Sequence, residues 1–246
     1  MSINLQKRTE KVGIILAKRG LAKVPPVRVG VALDVSGSAE HFYSSGVMQE
    51  TVDRLIPVAM KFDDNGELDA WLFHHGVLPQ LRAITESDEG SYVRKVILPT
   101  VAGNWGATAY APVLQRVVEF YFGGSQPAAK KSGFLGGLFG KKEAAPVAST
   151  SLNGDPAMLL FITDGSNSDR AETERVFAEA EASNKPVYFN MIGIGNPREF
   201  AFIEQMADKY GNVGFSNLND LSITDDTLYE YLVNQEFVDW VKQFAK

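Results

Sequence analysis

Two aspartates stand where hydrophobic runs stop. Val-Ala-Leu-Asp34-Val-Ser36-Gly37-Ser38 closes an apolar stretch early in the chain, and Leu-Leu-Phe-Ile-Thr-Asp164-Gly165 closes another far downstream. Between them lies Gly-Ala-Thr108-Ala-Tyr-Ala-Pro. In each acidic piece the strand pattern ends on the carboxylate, which puts it in a loop at a sheet edge, where ligands bind in open α/β folds. Asp34, Ser36, Ser38, Thr108 and Asp164 then offer two carboxylates and three hydroxyls to one place. This is a donor set for a hard divalent cation. Mg2+ takes about six oxygens and accepts neutral oxygens and water beside one or two carboxylates, and Mn2+ and Ca2+ share the preference for oxygen. With so few carboxylates the ion's charge stays incompletely compensated, so the centre draws one more acidic oxygen from outside the protein.

For these side chains to meet, the strands that carry them must end together. Residues 27–33 set Arg28 and Gly30 among apolar side chains and read as the first central strand, ending at Asp34. Residues 68–73, 158–163, 187–194 and 213–215 read as further strands, with 77–81 as a short antiparallel companion. Helical spacing recurs over 51–62 through Val52, Leu55, Ile56, Ala59 and Met60, and over 110–122 through Val113, Leu114, Val117, Val118 and Tyr121. It returns over 171–182, 200–210 and 227–244, while 92–98 fits either helix or strand. Thr108 therefore falls in a loop just ahead of a helix. Strands alternating with helices predict an α/β fold, doubly wound and Rossmann-like, with a mostly parallel sheet, helices on both faces and one short antiparallel edge strand.

Residues 1–26 are expected as an N-terminal helical arm leaning on the domain, with Leu5, Val12, Ile15 and Leu16 at helical spacing, a break at Gly13 and a stop at Pro25-Pro26. Residues 27–246 then make the domain itself. Within it, 123–156 is rich in Gly, Ala, Ser and Lys, is punctuated by Pro127, Pro146 and Pro156, and develops no core pattern, so it reads as a flexible insertion.

A chain of 246 residues with 45% hydrophobic content can bury the core of one such domain. Its 24 basic and 30 acidic residues give a net charge of −6, which argues against a nucleic-acid footprint. There is no cysteine, so disulfides and thiolate metal ligands are excluded. Charges occupy the first residues where a secretory apolar core would stand, and no apolar run approaches the roughly 20 residues that a bilayer requires, so the expected location is the cytoplasm.

The order Asp34-Val-Ser36-Gly-Ser38, Thr108, Thr163-Asp164-Gly165 resembles the metal-ion-dependent adhesion site (MIDAS) of von Willebrand factor type A (vWA) domains. Further stretches resemble TerF-like proteins of the tellurium-resistance (Ter) group: the opening Ile-Asn-Leu-Gln-Lys-Arg-Thr-Glu, Ala59-Met-Lys-Phe-Asp-Asp-Asn-Gly, Trp71-Leu-Phe, Tyr110-Ala-Pro, Phe161-Ile-Thr-Asp-Gly, Gly193-Ile-Gly-Asn and Phe237-Val-Asp-Trp. The resemblance implies a vWA domain whose Asp34, Ser36, Ser38, Thr108 and Asp164 hold the metal. It further implies a cytoplasmic stress-response protein in which a protein partner's Asp or Glu completes the metal shell.

Other motifs weigh less. His74-His75 would point to opposite faces of a strand and so is not expected to bind a transition metal as a pair. His41 reads as a solvated loop histidine near the ligand rim. Asp63-Asp64-Asn65-Gly66 has calcium-loop composition without the Glu twelve positions on, and fits a turn that ends a helix. Gly193-Ile-Gly195 lacks the third glycine of a dinucleotide loop and fits a strand-to-helix turn. No nucleophile elbow and no phosphate loop is present, so the chain is not expected to be an enzyme. A metal-dependent phosphohydrolase is the alternative function. A membrane-surface adaptor is a second: Lys130-Lys-Ser-Gly-Phe134-Leu135-Gly-Gly-Leu138-Phe139-Gly-Lys141-Lys142 could lie on anionic lipid, though a solvated loop accounts for the same residues better.

Overall fold

Three apolar runs make the centre of a sheet: β1 (Arg28–Asp34), β3 (Ala157–Thr163) and β4 (Val187–Ile194). β2 (Asp69–Phe73) and β5 (Val213–Leu218) flank them in the order β2-β1-β3-β4-β5, and every pairing is parallel. The computed structural model describes residues 2–63, 65–76, 78–123, 155–183, 185–218, 220 and 222–244. Strands buried on both faces need apolar side chains at odd and even positions alike. Accordingly Val29, Val31, Leu33, Met158, Leu160 and Ile162 enter one core, while Ala32, Trp71, Phe73, Leu159 and Phe161 enter the other.

Helices cover both faces. On the first lie α1 (Ile3–Lys18), α3 (Val47–Phe62), and the two last helices, α8 (Asp225–Leu232) and α9 (Gln235–Lys242), along with the short α2 (Glu40–Ser44) and α4 (Leu98–Val101). On the second lie α5 (Ala111–Phe122), α6 (Arg170–Ala182) and α7 (Ala201–Lys209). Leu5, Val12, Ile15 and Leu16 of α1 are buried in the same core as α3 and α8.

Strand order reverses between β1 and β3. From β1 the chain crosses outward to β2, returns to β3 on the other side, and continues to β4 and β5. In open parallel sheets the crevice beyond the carboxyl ends of the strands at such a reversal is where ligands sit. Asp34 is the last residue of β1 and Asp164 directly follows β3. The Leu33↔Ile162 register sets the two ends level.

Several elements differ from their sequence patterns. The antiparallel edge strand over 77–81 is not formed; among the described residues only isolated antiparallel bridges occur, Leu68↔Ile84 and Trp71↔Gln80. Pro79 has no N–H to contribute to a ladder there. α1 runs through Gly13 without a break; a Cβ there would lie 3.1 Å from Nζ at the movable end of the exposed Lys61 on α3. Residues 93–97 form a π-helical turn that runs into α4, with Pro99, unable to donate to Lys95, in the turn that follows. The stretch expected as one helix over 227–244 is two, because Asn234 caps α9 by accepting from Phe237 N at 2.8 Å. Of the insertion expected over 123–156, residues 124–154 lie outside the described residues. Among the described residues, no helix is long and apolar enough to cross a membrane.

Candidate metal centre

Three loops meet at the carboxyl ends of β1 and β3. The first, leaving β1, brings Ser36 and Ser38; Ser36 N donates to Asp34 Oδ1 at 2.7 Å, which folds the chain back over its own carboxylate. The third, leaving β3, begins with Asp164, whose Oδ1 accepts from Ser38 Oγ at 3.0 Å and lies 3.5 Å from Ser36 Oγ. The two serine hydroxyls are 3.1 Å apart. Asp34, Ser36, Ser38 and Asp164 thus form one cluster, although up to 128 residues of chain separate neighbouring groups in it. The second loop joins through its backbone: Ser36 and Gly106 form a parallel bridge, and Thr108 O accepts from both Ser168 N and Ser168 Oγ at 3.0 Å. Thr108 Oγ1 makes no hydrogen bond among the described residues.

A helix-capping role for the serines is not what the geometry shows. The N-cap of α2 is Ala39, with no side-chain hydrogen bond, so neither hydroxyl is spent on the helix that follows. Nor is Asp164-Gly165 an isolated turn, since the carboxylate is tied to the first loop.

Asp34 is 2% exposed and has two protein donors, Ser36 N on one oxygen and Thr163 Oγ1 at 2.6 Å on the other. Each oxygen retains a further lone pair. Burial pushes its carboxyl up to about 6; hydrogen bonds from Thr163 and Ser36 oppose that rise, and the nearby Asp164 adds to it. No ion pair among the described residues reaches either carboxylate. Two acidic groups, two hydroxyls at contact distance and no protein cation fit a bound divalent ion: the donors are hard oxygens, and the local charge is negative. Among the described residues no cluster of three or more His, Cys, Asp and Glu exists, so a hard-cation centre here must use hydroxyls.

The profile of the vWA-TerF-like family, described as the vWA found in the TerF C terminus, matches residues 26–130 and 142–246. The chain belongs to the vWA-TerF-like family. Over 248 residues it is 31% identical to the uncharacterized protein YcbR of Bacillus subtilis, covering 98% of this chain and 87% of that one. Among solved structures, this vWA-TerF-like chain is similar to proximal thread matrix protein 1 from the mussel byssus, with TM-score 0.57 and 18% identity over 87% of this chain. It spans about half of that protein, 48%. A form of the mussel protein described as having a zinc-occupied MIDAS motif matches with TM-score 0.54 and 18% identity, over 87% of this chain and 49% of that one. Manganese-loaded TRAP protein of Plasmodium vivax matches with TM-score 0.51 and 13% identity, over 86% of this chain and 73% of that one. At these identities the likeness establishes the vWA-type α/β fold.

Several groups that shape the vWA-TerF-like site carry no sequence signal as ligands. Thr163 holds Asp34; Tyr43 Oη donates to the Asp34 carbonyl at 2.7 Å; Tyr110 Oη donates to Thr163 Oγ1 at 3.2 Å and to Gly165 O. Burial pushes the Tyr110 hydroxyl well above its ordinary value, so it remains a donor. Only Thr163 and Tyr110 stood inside the recognised motifs. The histidine pair departs from the strand argument: both residues lie past the end of β2, and their rings stack with centroids 5.0 Å apart instead of facing opposite ways. His74 Nδ1 accepts from Gly76 N and His75 Nδ1 from Ala107 N, so the pair serves the backbone. His41 is exposed on α2 rather than in a loop, with Nδ1 2.7 Å from Ser38 O. Gly195, with φ +101°, opens a turn into the helical Pro197–Phe200 segment, as its spacing indicated.

Proposed function

We propose that this vWA module is a Mg2+-dependent protein-binding device, in which Asp34, Ser36, Ser38, Thr108 and Asp164 hold the ion and a partner's Asp or Glu completes its shell. The carrying observation is the Ser36–Ser38–Asp164 cluster beside a buried Asp34 that no cation among the described residues reaches. When bound, the ion supplies an electrophilic position open to an external carboxylate. The protein's share is rigidity and incomplete charge compensation. Thr163 and Ser36 N orient Asp34, and Ser38 ties the first loop to Asp164, so the donors are assembled before any ion arrives. The mussel and Plasmodium structures, described with zinc and manganese, support a divalent ion at this position and leave room for Mn2+ or Ca2+ here.

Binding rather than hydrolysis is the proposed outcome. The lone pairs of Asp34 left free by Ser36 N and Thr163 Oγ1 are the ones the ion would take, which leaves that carboxylate no position from which to draw a proton from attacking water. The TerF kinship supports a role in a cytoplasmic stress-response system of the tellurium-resistance kind. The test is a pull-down with immobilised protein: a partner retained in Mg2+, released by chelator, recovered on adding Mg2+ back and absent with Asp34→Ala supports the proposal. Retention that ignores both chelator and Asp34→Ala removes it, and sustained phosphoester turnover lost in Asp34→Ala replaces it with the hydrolase.

A further inference from the structure

We infer that His75 and Asp169 are positioning residues whose task is to present Thr108 at the metal centre, an inference that rests on the proposed metal site. Thr108 is the one proposed ligand without a side-chain contact to the others. It lies on a segment without regular structure between the end of α4 at Val101 and the start of α5 at Ala111. That segment leaves α4 through Ala102, a non-glycine residue at φ +48°. A donor on a free loop would lose conformational entropy each time an ion bound. This loop is instead fastened from three sides.

From β1, Gly37 N donates to Gly106 O at 2.9 Å and Gly106 N to Val35 O at 3.3 Å. From beyond β2, His75 N donates to Ala107 O at 2.6 Å, while Ala107 N donates to His75 Nδ1 at 2.9 Å. The imidazole thus takes the place of a strand carbonyl, and His75 engages both polar groups of the residue preceding Thr108, Ala107 N with its ring and Ala107 O with its own backbone N–H. Accepting at Nδ1 leaves the proton of the neutral ring on Nε2. The fit is close: a Cβ at Gly106 would lie 2.5 Å from His75 Nδ1 and 2.9 Å from His74 Cγ, so the glycine lets the loop lie against the two rings.

From the β3 side, Asp169 accepts from Tyr110 N at 3.0 Å on Oδ1 and from Ala111 N at 2.7 Å on Oδ2. Asp169 occupies the N-cap of α6, where an aspartate ordinarily bonds an amide of its own helix, yet it makes no such cap bond. Its carboxylate goes to the start of α5 instead. Asn167 Nδ2 at 2.7 Å and Thr173 Oγ1 at 3.3 Å hold it in that orientation. The loop that carries Asp164 therefore also grips the loop that carries Thr108, and a cap is forgone to do it.

The test is a set of thermodynamic cycles read by Mn2+ titration calorimetry, with thermal unfolding of each metal-free variant alongside. His75→Ala and Asp169→Asn are expected to weaken Mn2+ binding by about tenfold each. His75→Asn, whose Oδ1 can stand where Nδ1 stood, is expected to return affinity to within about twofold of wild type. In a Thr108→Ala background the same substitutions should change affinity by less than about twofold, because their effect passes through Thr108. A purely structural role would weaken binding equally in both backgrounds, and that result overturns the inference. So does unchanged affinity in both single variants. Should Asp169→Asn fail to fold, the exposed His75 and its Asn rescue decide alone. If wild type takes up no Mn2+, or Asp34→Ala binds it as tightly, the metal reading itself falls and takes this inference with it; if Asp34→Ala abolishes binding while the His75 and Asp169 variants do not change it, only the inference falls.

Discussion

Two regions of the molecule handle acid withdrawn from solvent, partly at Asp225 and almost wholly at Asp34, in opposite ways. Asp225, at the start of α8, accepts from Arg8 Nε on α1 at 2.9 Å and from Arg54 Nε on α3 at 2.8 Å. Arg54, whose side chain is 3% exposed, also donates to Ile223 O at 2.6 Å. Burial works against the Asp225 charge, but hydrogen bonding and Coulomb attraction from Arg8, then Arg54, outweigh it and hold the carboxyl below its ordinary value. At the ends of β1 and β3 no guanidinium arrives among the described residues. Asp34 has only dipoles, from Thr163 and Ser36, and its carboxyl rises to about 6. The first cluster pairs its carboxylate with two guanidinium groups and joins three helices; the second retains a deficit that an ion can fill. Acid that is paired by the protein is architecture, and acid that is organised but unpaired is a site.

The contrast is most sharply broken at Asp225. Asp225→Ala leaves Arg54 buried without its carboxylate and should destabilise the protein by about 3–5 kcal/mol in urea unfolding, with Mn2+ affinity unchanged. A loss under about 1 kcal/mol would mean the arginines find water or other acceptors instead.

At Asp34 the sign reverses. Its raised value means the folded protein holds this proton more tightly than the unfolded chain does, so the associated stability is complete below about pH 4 and is lost as pH rises through about 6. The metal-free Asp34→Asn variant should therefore be more stable than wild type at pH 7, by up to about 3 kcal/mol, and should lack that decline between pH 4 and 6. Chemical denaturation across pH in the presence of chelator measures it. In wild type, metal affinity should climb over the same window, since the ion competes with the proton for Asp34. A metal-free Asp34→Asn protein less stable than wild type at pH 7 would show that the hydrogen bonds to the carboxylate outweigh its desolvation.

Metal loss comes next in size. Asp164→Ala should lower Mg2+ affinity at least about 100-fold, roughly 2.7 kcal/mol, with an intact circular dichroism spectrum, because Asp164 lies at a solvated edge. The smallest effect is expected at Ser38, a neutral donor: Ser38→Ala should cost no more than about tenfold in calorimetric titration. If Ser38→Ala equals Asp164→Ala, the serine's hold on the Asp164 loop, rather than its own oxygen, is what binding depends on.

Much of this was legible in order. Buried strands are near-continuous apolar runs, so β1, β3 and β4 and their exits at Asp34 and Asp164 stand out without coordinates. Elements that depend on a neighbour did not. Gly13 marked a break that the packing of Leu5, Val12, Ile15 and Leu16 on the core overrides; residues 77–81 had strand-like composition that Pro79 could not support as a ladder; the last helix split where Asn234 found an amide to cap. Asp169 and His75 were illegible as parts of the centre for the same reason. One looks like a helix cap and the other like half of a histidine pair, and their partners, Tyr110, Ala111 and Ala107, lie 59, 58 and 32 residues away.

By itself the sequence determined the donor chemistry and the fold class: oxygens without thiols, carboxylates at the ends of apolar runs, and strands alternating with helices. These follow from side-chain type and from periods of two and 3.6, both local properties of the chain. Only the tertiary structure decided that β1 lies beside β3, that the two serines leave their own helix uncapped and turn to Asp164, and that Asp34 is buried beside them. Those outcomes depend on which distant segments pack together, and the resulting burial sets how strongly each charge is felt.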